Sequence, residues 1–175
     1  MFSIDVTDLH WLKDVPERED LCLHGHAVAK IGDEVFEYDA TVSSTALYLL
    51  KSLKEDHRMD ESNQMLPCCG FFMIPNEDLS KVEILGCPNG IDWSVLHEND
   101  SIVLVTGSGN TVKLSKEEYR NAVFSFADKI EAFYKQSDEK TLPKDEFGMN
   151  GDLCDMKSKK YKNLPKSEMF FKFLL

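Results

Sequence analysis

One stretch constrains the fold more than any other: residues 115–137 read SKEEYRNAVFSFADKIEAFYKQS. Its apolar residues recur at intervals of three and four, which is the spacing of one face of an α-helix. They are Tyr119, Val123, Phe126, Ala127, Ile130, Phe133 and Tyr134. Ser115 and Glu118 stand at the spacing of a capping box, so the pattern predicts a helix over residues 116–135. Because this helix must bury one face, the rest of the chain has to supply a surface for it.

Strand patterns joined by turns supply that surface. Gly32 and Asp33 suit a tight hairpin turn, as does the sequence GSGN, and Pro88-Asn89-Gly90 marks a further bend. The predicted strands cover residues 21–30, 35–43, 70–74, 81–86, 91–98, 101–106 and 111–115. Alternation predicts the core face of the first hairpin: Leu21, Leu23, Gly25, Ala27, Ala29, Phe36, Tyr38, Ala40 and Val42. Since hairpins join antiparallel strands, the sheet is predicted to be mainly antiparallel.

A second helical pattern lies at residues 44–57, where hydroxyl residues precede an apolar stripe. Hairpins combined with two amphipathic helices predict an α+β fold, with the helices packed on one antiparallel sheet of about six or seven strands. A division into two sheets is the alternative. We assign residues 1–137 to a single α+β domain. Residues 138–175 form a polar, lysine-rich C-terminal tail, because prolines and lysines replace the apolar pattern there.

The charge is distributed unevenly along the chain. The formal charge is −11, and the last 20 residues hold six lysines against Glu168 alone. The preceding 155 residues therefore carry 14 Lys+Arg and 30 Asp+Glu, a net of −16. A body this acidic repels nucleic acid and suits a cationic protein partner, although acidic surfaces also serve solubility alone. We predict a protein partner and no binding of nucleic acid.

Residue usage also bears on the compartment. No basic segment followed by an apolar stretch opens the chain, and no apolar run approaches the ~18–20 residues of a membrane helix. The five cysteines are an odd number, and Cys68 and Cys69 are adjacent, which does not suit a disulfide framework. We expect a cytoplasmic protein with reduced thiols and no membrane contact.

Cys22, His24 and His26 are the first candidate site. They alternate, so in a strand all three side chains point to the side opposite the apolar face, as a zinc or copper site requires. His97 or Cys87 could supply a fourth ligand. No Cys-x-x-Cys pair accompanies them, and closely spaced histidines on a solvent-facing strand are common. We therefore expect no bound metal and no other cofactor.

Cys69, Asp92 and His97 are the second candidate site. A thiolate nucleophile needs a base within hydrogen-bond distance and a carboxylate that orients the base. Against this, buried cysteine commonly serves as a small hydrophobic residue. The main prediction is a binding protein without catalytic residues. The alternative is a small metal- or thiol-dependent enzyme, or a ligand-binding domain, that uses one of these two groups.

Two long phrases carry a family resemblance: LPCCGFFMIPNEDLSKVEILGCPNGIDWSVLHE and EEYRNAVFSFADKIEAFYKQSDEKTLP. From about Leu21 to Pro143 the chain resembles a family of small, acidic bacterial proteins of uncharacterised function. Some relatives lie near genes of polymorphic-toxin or contact-dependent inhibition systems, where such proteins act as immunity factors. The resemblance thus implies a toxin domain as partner and brings no catalytic residues. Relatives end in a tryptophan-containing segment after an Asn-Gly pair, whereas DLCDMKSKKYKNLPKSEMFFKFLL follows Gly151 here.

Overall fold

The structure is a computed structural model that describes residues 1–20, 22–59, 63–68, 72–75, 82–85 and 88–139. The strands in this part of the chain are β1 (Phe2–His10), β2 (His24–Ile31), β3 (Glu34–Thr41), β4 (Leu66–Pro67), β5 (Phe72–Pro75), β6 (Val82–Leu85), β7 (Gly90–Ile91), β8 (Trp93–Glu98), β9 (Ser101–Thr106) and β10 (Thr111–Ser115). The helices are α1 (Val42–Lys51) and α2 (Lys116–Gln136). All strand pairs are antiparallel, which confirms the predicted α+β fold with mainly antiparallel sheet.

The first sheet contains β1, β2 and β3 in that order. β2 and β3 form the predicted hairpin, and Gly32 in its turn has a φ of 64°, which glycine adopts without steric cost. Gly25, Ala27 and Ala29 face the core as predicted, while Leu21 lies outside the described residues. β1 is a strand that the sequence patterns did not predict. Its Phe2, Ile4 and Val6 extend the same core face.

The second sheet contains β8, β9 and β10, with β9 in the centre. β9 and β10 cover the two predicted strands residue for residue, and the intervening loop has Gly109 at a φ of 87°. The strand predicted at 91–98 is divided in two. Ile91 ends β7, which pairs with β4, whereas Trp93 begins β8 in the second sheet. β5 and β6 pair with each other, as predicted for that hairpin.

The expectation of one continuous sheet is wrong, because the described strands form four separate sheets. The predicted alternative, a division into two sheets, is closer to the observed arrangement. Pro67 of β4 pairs with Gly90 of β7 and has no N–H with which to extend the ladder. Gly90 has a φ of 151°, and a Cβ there would lie 2.1 Å from the carbonyl oxygen of Leu66. This tight crossing limits the β4–β7 pairing to two residues and separates it from the main sheets.

Helix α1 starts directly after β3 and is shorter than the predicted 44–57 segment. Every residue from Val42 to Leu50 is buried, so the helix is enclosed more fully than its apolar stripe predicted. Immediately after the helix, the Ser52 hydroxyl donates to the carbonyl oxygen of Leu49 at 2.7 Å. The same hydroxyl lies 2.7 Å from the Tyr119 hydroxyl, which links the end of α1 to α2. Burial raises the pKa of Tyr119, so this phenol stays protonated.

Helix α2 confirms the helix predicted over residues 116–135. Ser115 Oγ accepts a hydrogen bond from the Glu118 N–H at 3.1 Å, and Glu118 Oε2 accepts one from the Ser115 N–H at 2.9 Å. These two bonds complete the predicted capping box. The residues buried along α2 all belong to the predicted apolar face: Tyr119, Val123, Phe126, Ala127 and Ile130.

The end of the predicted domain is fastened to the loop after β1. Trp11 Nε1 donates to Ser137 Oγ at 3.1 Å, and Arg18 pairs with Asp138 at 3.1 Å. The predicted tail begins at Asp138, yet the structure shows this residue in contact with the domain. The remainder of the predicted tail, from residue 140 onward, lies outside the described residues.

Replacing Ser115 with alanine tests the capping box. We expect Ser115→Ala to lower the free energy of unfolding by about 1 kcal/mol, because the Glu118 N–H loses its acceptor. Urea unfolding followed by circular dichroism measures the change. Ser125→Ala, at an exposed position inside α2, is the matched control and should leave the stability unchanged or slightly raised, since alanine favours helix. Equal losses in both variants would contradict a capping role.

Candidate functional site

The outward side of the first sheet brings together most of the polar residues of its three strands. Neighbours across the strands form four rows. The rows are His10–His24, Thr7–His26–Asp39, Asp5–Val28–Glu37 and Ser3–Lys30–Val35. We call these residues, together with Asp8, the outer face. Asp5, Asp8, Glu37 and Asp39 are exposed, so this face presents carboxylates to solvent.

A β-bulge in β1 determines which side chains reach the histidine end of the outer face. Thr7 is opposite His26 and His10 is opposite His24, so two residues of β1 share the position facing Gly25. One of them, Asp8, has a φ of 53°, in the left-handed region that aspartate tolerates better than most residues. A Cβ on Gly25 would approach the Thr7 carbonyl oxygen to 3.0 Å, so glycine makes room for the bulge. The extra residue keeps His10 pointing outward beside His24.

His10 and His24 form a stacked pair at this end of the face. Their ring centroids are 6.0 Å apart, with an angle of 29° between the planes. His10 Nδ1 donates to the carbonyl oxygen of Asp8 at 2.6 Å, which orients the ring. Partial burial lowers the pKa of His24, and the neighbouring His10 lowers it further, while Asp20 acts in the opposite direction. His24 therefore takes up a proton only in a more acidic medium than an ordinary histidine.

His26, in the next row, is paired with Asp39. Its Nδ1 lies 2.8 Å from Asp39 Oδ1, and the side chain of His26 is 36% exposed. The hydrogen bond to Asp39 raises the pKa of His26, and the negative charges of Asp39, Glu37 and Asp8 add to this effect. The two neighbouring histidines of β2 thus titrate over different ranges, because one is paired with a carboxylate and the other is partly desolvated.

Negative charge is concentrated in this part of the molecule. Residues 1–41 contain ten Asp+Glu and three Lys+Arg, a net of −7 against −11 for the whole chain. Asp5 is paired with Lys129 of α2. In the described part of the chain, no lysine or arginine forms an ion pair with Asp8, Glu37 or Asp39. The outer face therefore has carboxylates available for the cations of another molecule.

The candidate metal cluster is only partly assembled. His24 and His26 lie on the same side of β2, as the alternation predicts. Cys22 precedes the strand, donates its N–H to Asp20 at 3.1 Å, and lies near Tyr134. His97 belongs to the second sheet, and Cys87 is outside the described residues. Within the described ranges, no three His, Cys, Asp or Glu side chains are grouped so as to hold a metal ion.

The structure does not bring Asp92 and His97 together as the second candidate site requires. Asp92 is bonded instead to His57, with Nε2 to Oδ1 at 2.8 Å, and both side chains are less than 10% exposed. The same Asp92 oxygen accepts the N–H of Met65 at 3.0 Å. Asp92 Oδ2 is buried and has no hydrogen-bond partner in the described part of the chain. Cys69 lies outside the described residues, so its role as a nucleophile stays a prediction.

His97 has a carboxylate partner of its own, Asp56. The backbone N–H and ring Nδ1 of His97 lie 2.8 and 2.9 Å from Asp56 Oδ1. These bonds hold the pKa of Asp56 below its ordinary value. Nearby, His57 and Val95 exchange backbone hydrogen bonds of 2.9 and 2.8 Å. His57 and His97 therefore both fasten the segment after α1 to β8, which is a structural role.

Sequence reasoning missed His57 and His10 for different reasons. The predicted second helix ends at His57, and no local pattern indicates that this residue contacts β8. His10 follows the irregular part of β1, where a one-residue insertion breaks the alternation. Two residues could have indicated a bulge: Asp8, because aspartate tolerates the left-handed backbone conformation, and Gly25, because a glycine inside a strand often marks one.

No family model, curated protein or solved structure matches the chain. The resemblance to a family containing immunity factors therefore stays a prediction. In the described part of the chain, neither helix combines the length and the apolar composition that a membrane crossing requires.

Replacing Asp92 with asparagine tests the structural role of the His57–Asp92 pair. We expect Asp92→Asn to lower the free energy of unfolding by about 2 kcal/mol, because a buried charge-assisted hydrogen bond is lost. Asp56→Asn is the matched control at the partly exposed His97 pair, and its cost should be at most about 0.5–1 kcal/mol. Urea unfolding at neutral pH measures both. A larger loss of unfolding free energy for Asp56→Asn than for Asp92→Asn would show that burial does not determine how much each pair stabilises the fold.

Proposed function

We propose that the protein is a cytoplasmic binding domain that covers a cationic surface of a protein partner with its outer face. In the sharper form of this proposal, the partner is a toxin domain and the protein confers immunity to it. The observation that carries the proposal is the exposed sheet surface on which Asp8, Glu37 and Asp39 have no lysine or arginine partner among the described residues.

The charge of the first sheet, together with that of the loops between its strands, favours rapid association with a basic partner. A net of −7 over residues 1–41 produces an attractive field that reaches beyond direct contact. Charge complementarity of this kind raises the association rate and discriminates against acidic partners. The same field repels nucleic acid, which agrees with the prediction that the partner is a protein.

Contact strength requires apolar anchors as well as charge, and the outer face contains two. Val28 lies in the central strand between Asp5 and Glu37, and Val35 lies in the last row with 52% of its surface exposed. Carboxylates around a half-buried valine and an exposed one suit a partner surface that combines lysine or arginine with apolar groups. Because these residues lie on paired strands, their positions are fixed before the partner binds, which reduces the entropy lost on binding.

A toxin domain fits this chemistry for a physical reason. Domains that act on nucleic acid need a cationic surface to hold phosphate groups, and an acidic protein can cover that surface. The identity of the neighbouring gene tests this part of the proposal. For an immunity protein, that gene should encode a large secreted protein that ends in a variable toxin domain.

Charge reversal on the outer face tests the proposal. We expect Glu37→Lys combined with Asp39→Lys to slow association with an inactivated toxin domain from the neighbouring gene by about tenfold or more at ~0.05 M salt. The double variant should also fail to protect cells that express the active domain. Surface plasmon resonance measures the association rate, and colony counts measure protection.

Asp100→Lys combined with Glu117→Lys is the matched control, because both residues are exposed beside the second sheet and the change in net charge is the same. This variant should bind nearly as fast as the unmodified protein. Equal slowing by both double variants would assign the effect to net charge and reject the outer face. Retention of no toxin domain by the unmodified protein in ~0.15 M salt, without protection of cells, would reject the immunity function.

A further inference from the structure

The outer face contains a group of histidines whose position is set by the fold. His10, His24 and His26 occupy two adjacent rows at one end of the face, next to Asp39. The bulge at Asp8 and the absence of a side chain on Gly25 place His10 there. Histidine is the side chain whose charge ordinarily changes between about pH 5 and pH 8. The same surface therefore carries the carboxylates and the histidines whose positive charge, when protonated, can neutralise them.

The charge of the outer face depends strongly on these histidines. Four carboxylates (Asp5, Asp8, Glu37 and Asp39), Lys30 and the Lys129 ammonium paired with Asp5 give a net of −2 when the histidines are neutral. Three protonated histidines would change this net charge to +1. Histidine protonation alone therefore removes the surplus of negative charge.

The charged groups around each histidine determine the order of protonation. His26 faces Asp39 and Glu37 on β3 and Asp8 on β1, and these carboxylates raise its pKa. His24 faces His10 on β1 and Asp20 in the preceding loop, and burial lowers its pKa. On acidification, His26 therefore gains its proton before His24. The rings of His24 and His10 are stacked with their centroids 6.0 Å apart, so a charge on one ring disfavours a charge on the other.

We propose that His10, His24 and His26 make binding of the basic partner dependent on pH, so that the partner is held at neutral pH and released in mild acid. This inference rests on the proposed function, because it concerns the same outer face and the same class of partner. Release follows because each protonated histidine repels the lysine and arginine side chains that the carboxylates attract. The fold itself does not have to change.

An oligolysine peptide serves as the probe, because its charge is constant between about pH 5.5 and pH 7.5. We expect its affinity for the unmodified protein to fall by about tenfold between about pH 7.5 and pH 5.5 at ~0.05 M salt. Fluorescence anisotropy of the labelled peptide measures the affinity. The triple variant His10→Gln, His24→Gln and His26→Gln should bind with nearly the same affinity at both pH values. Circular dichroism at both values checks that the proteins stay folded.

Titration of the imidazole resonances by NMR tests the inference without any substitution. The His26 resonance should shift at a higher pH than that of His24, and the loss of peptide affinity should follow these shifts. Affinity that is independent of pH, or a triple variant as sensitive to pH as the unmodified protein, overturns the inference while leaving the proposed function intact. Absence of peptide binding at about pH 7.5, or binding that Glu37→Lys with Asp39→Lys leaves unchanged, rejects the outer face and the inference with it.

Discussion

The aromatic contacts around Trp93 join the two main sheets, and the rest of the structure depends on them. Trp93 is fully buried at the start of β8, with its ring 6.5 Å from Phe2 of β1 and 6.2 Å from Phe36 of β3. Phe2 in turn lies 5.4 Å from Tyr119 of α2, whose hydroxyl meets Ser52 at the end of α1. One aromatic group thus fixes both sheets and both helices, and buried rings of this size contribute much of the energy of a small core.

This arrangement explains why function falls to the outer face. The inner face of the first sheet is committed to the core, because its small and aliphatic residues pack with α1, α2 and the second sheet. Strands alternate, so the opposite residues of the same three strands must face away from that core. The sequence places carboxylates, histidines and two valines at those positions. Folding and binding therefore use different residues of the same strands, and a change on one face need not disturb the other.

The sequence predicted the elements whose signals are local. The capping box of α2, the Gly32 turn and the strands of the second sheet each follow from residues close together in the chain. The division into separate sheets did not follow, because strand pairing depends on contacts between segments far apart in the sequence. β1 was not predicted, although Phe2, Ile4 and Val6 alternate with polar residues in the pattern of a half-buried strand. The sequence predicted correctly that His24 and His26 lie on the same side of the sheet. Their neighbours Asp39 and His10 could not be predicted, because they are set by the register between strands.

The five histidines divide into two classes by their place in the fold: His57 and His97 lie between the segment after α1 and β8, whereas the other three lie on the outer face. The His57–Asp92 pair is almost fully buried, and His97 is mostly covered, so these histidines hold the segment after α1 against β8. Asp39, by contrast, has 91% of its side chain exposed, and ion pairs this open to water add little to stability. His10 is also exposed at the edge of the face. Protonation of His26 therefore changes the surface charge without a cost in folding energy, because its pKa is raised, whereas protonation of His24 is opposed by partial burial and by His10.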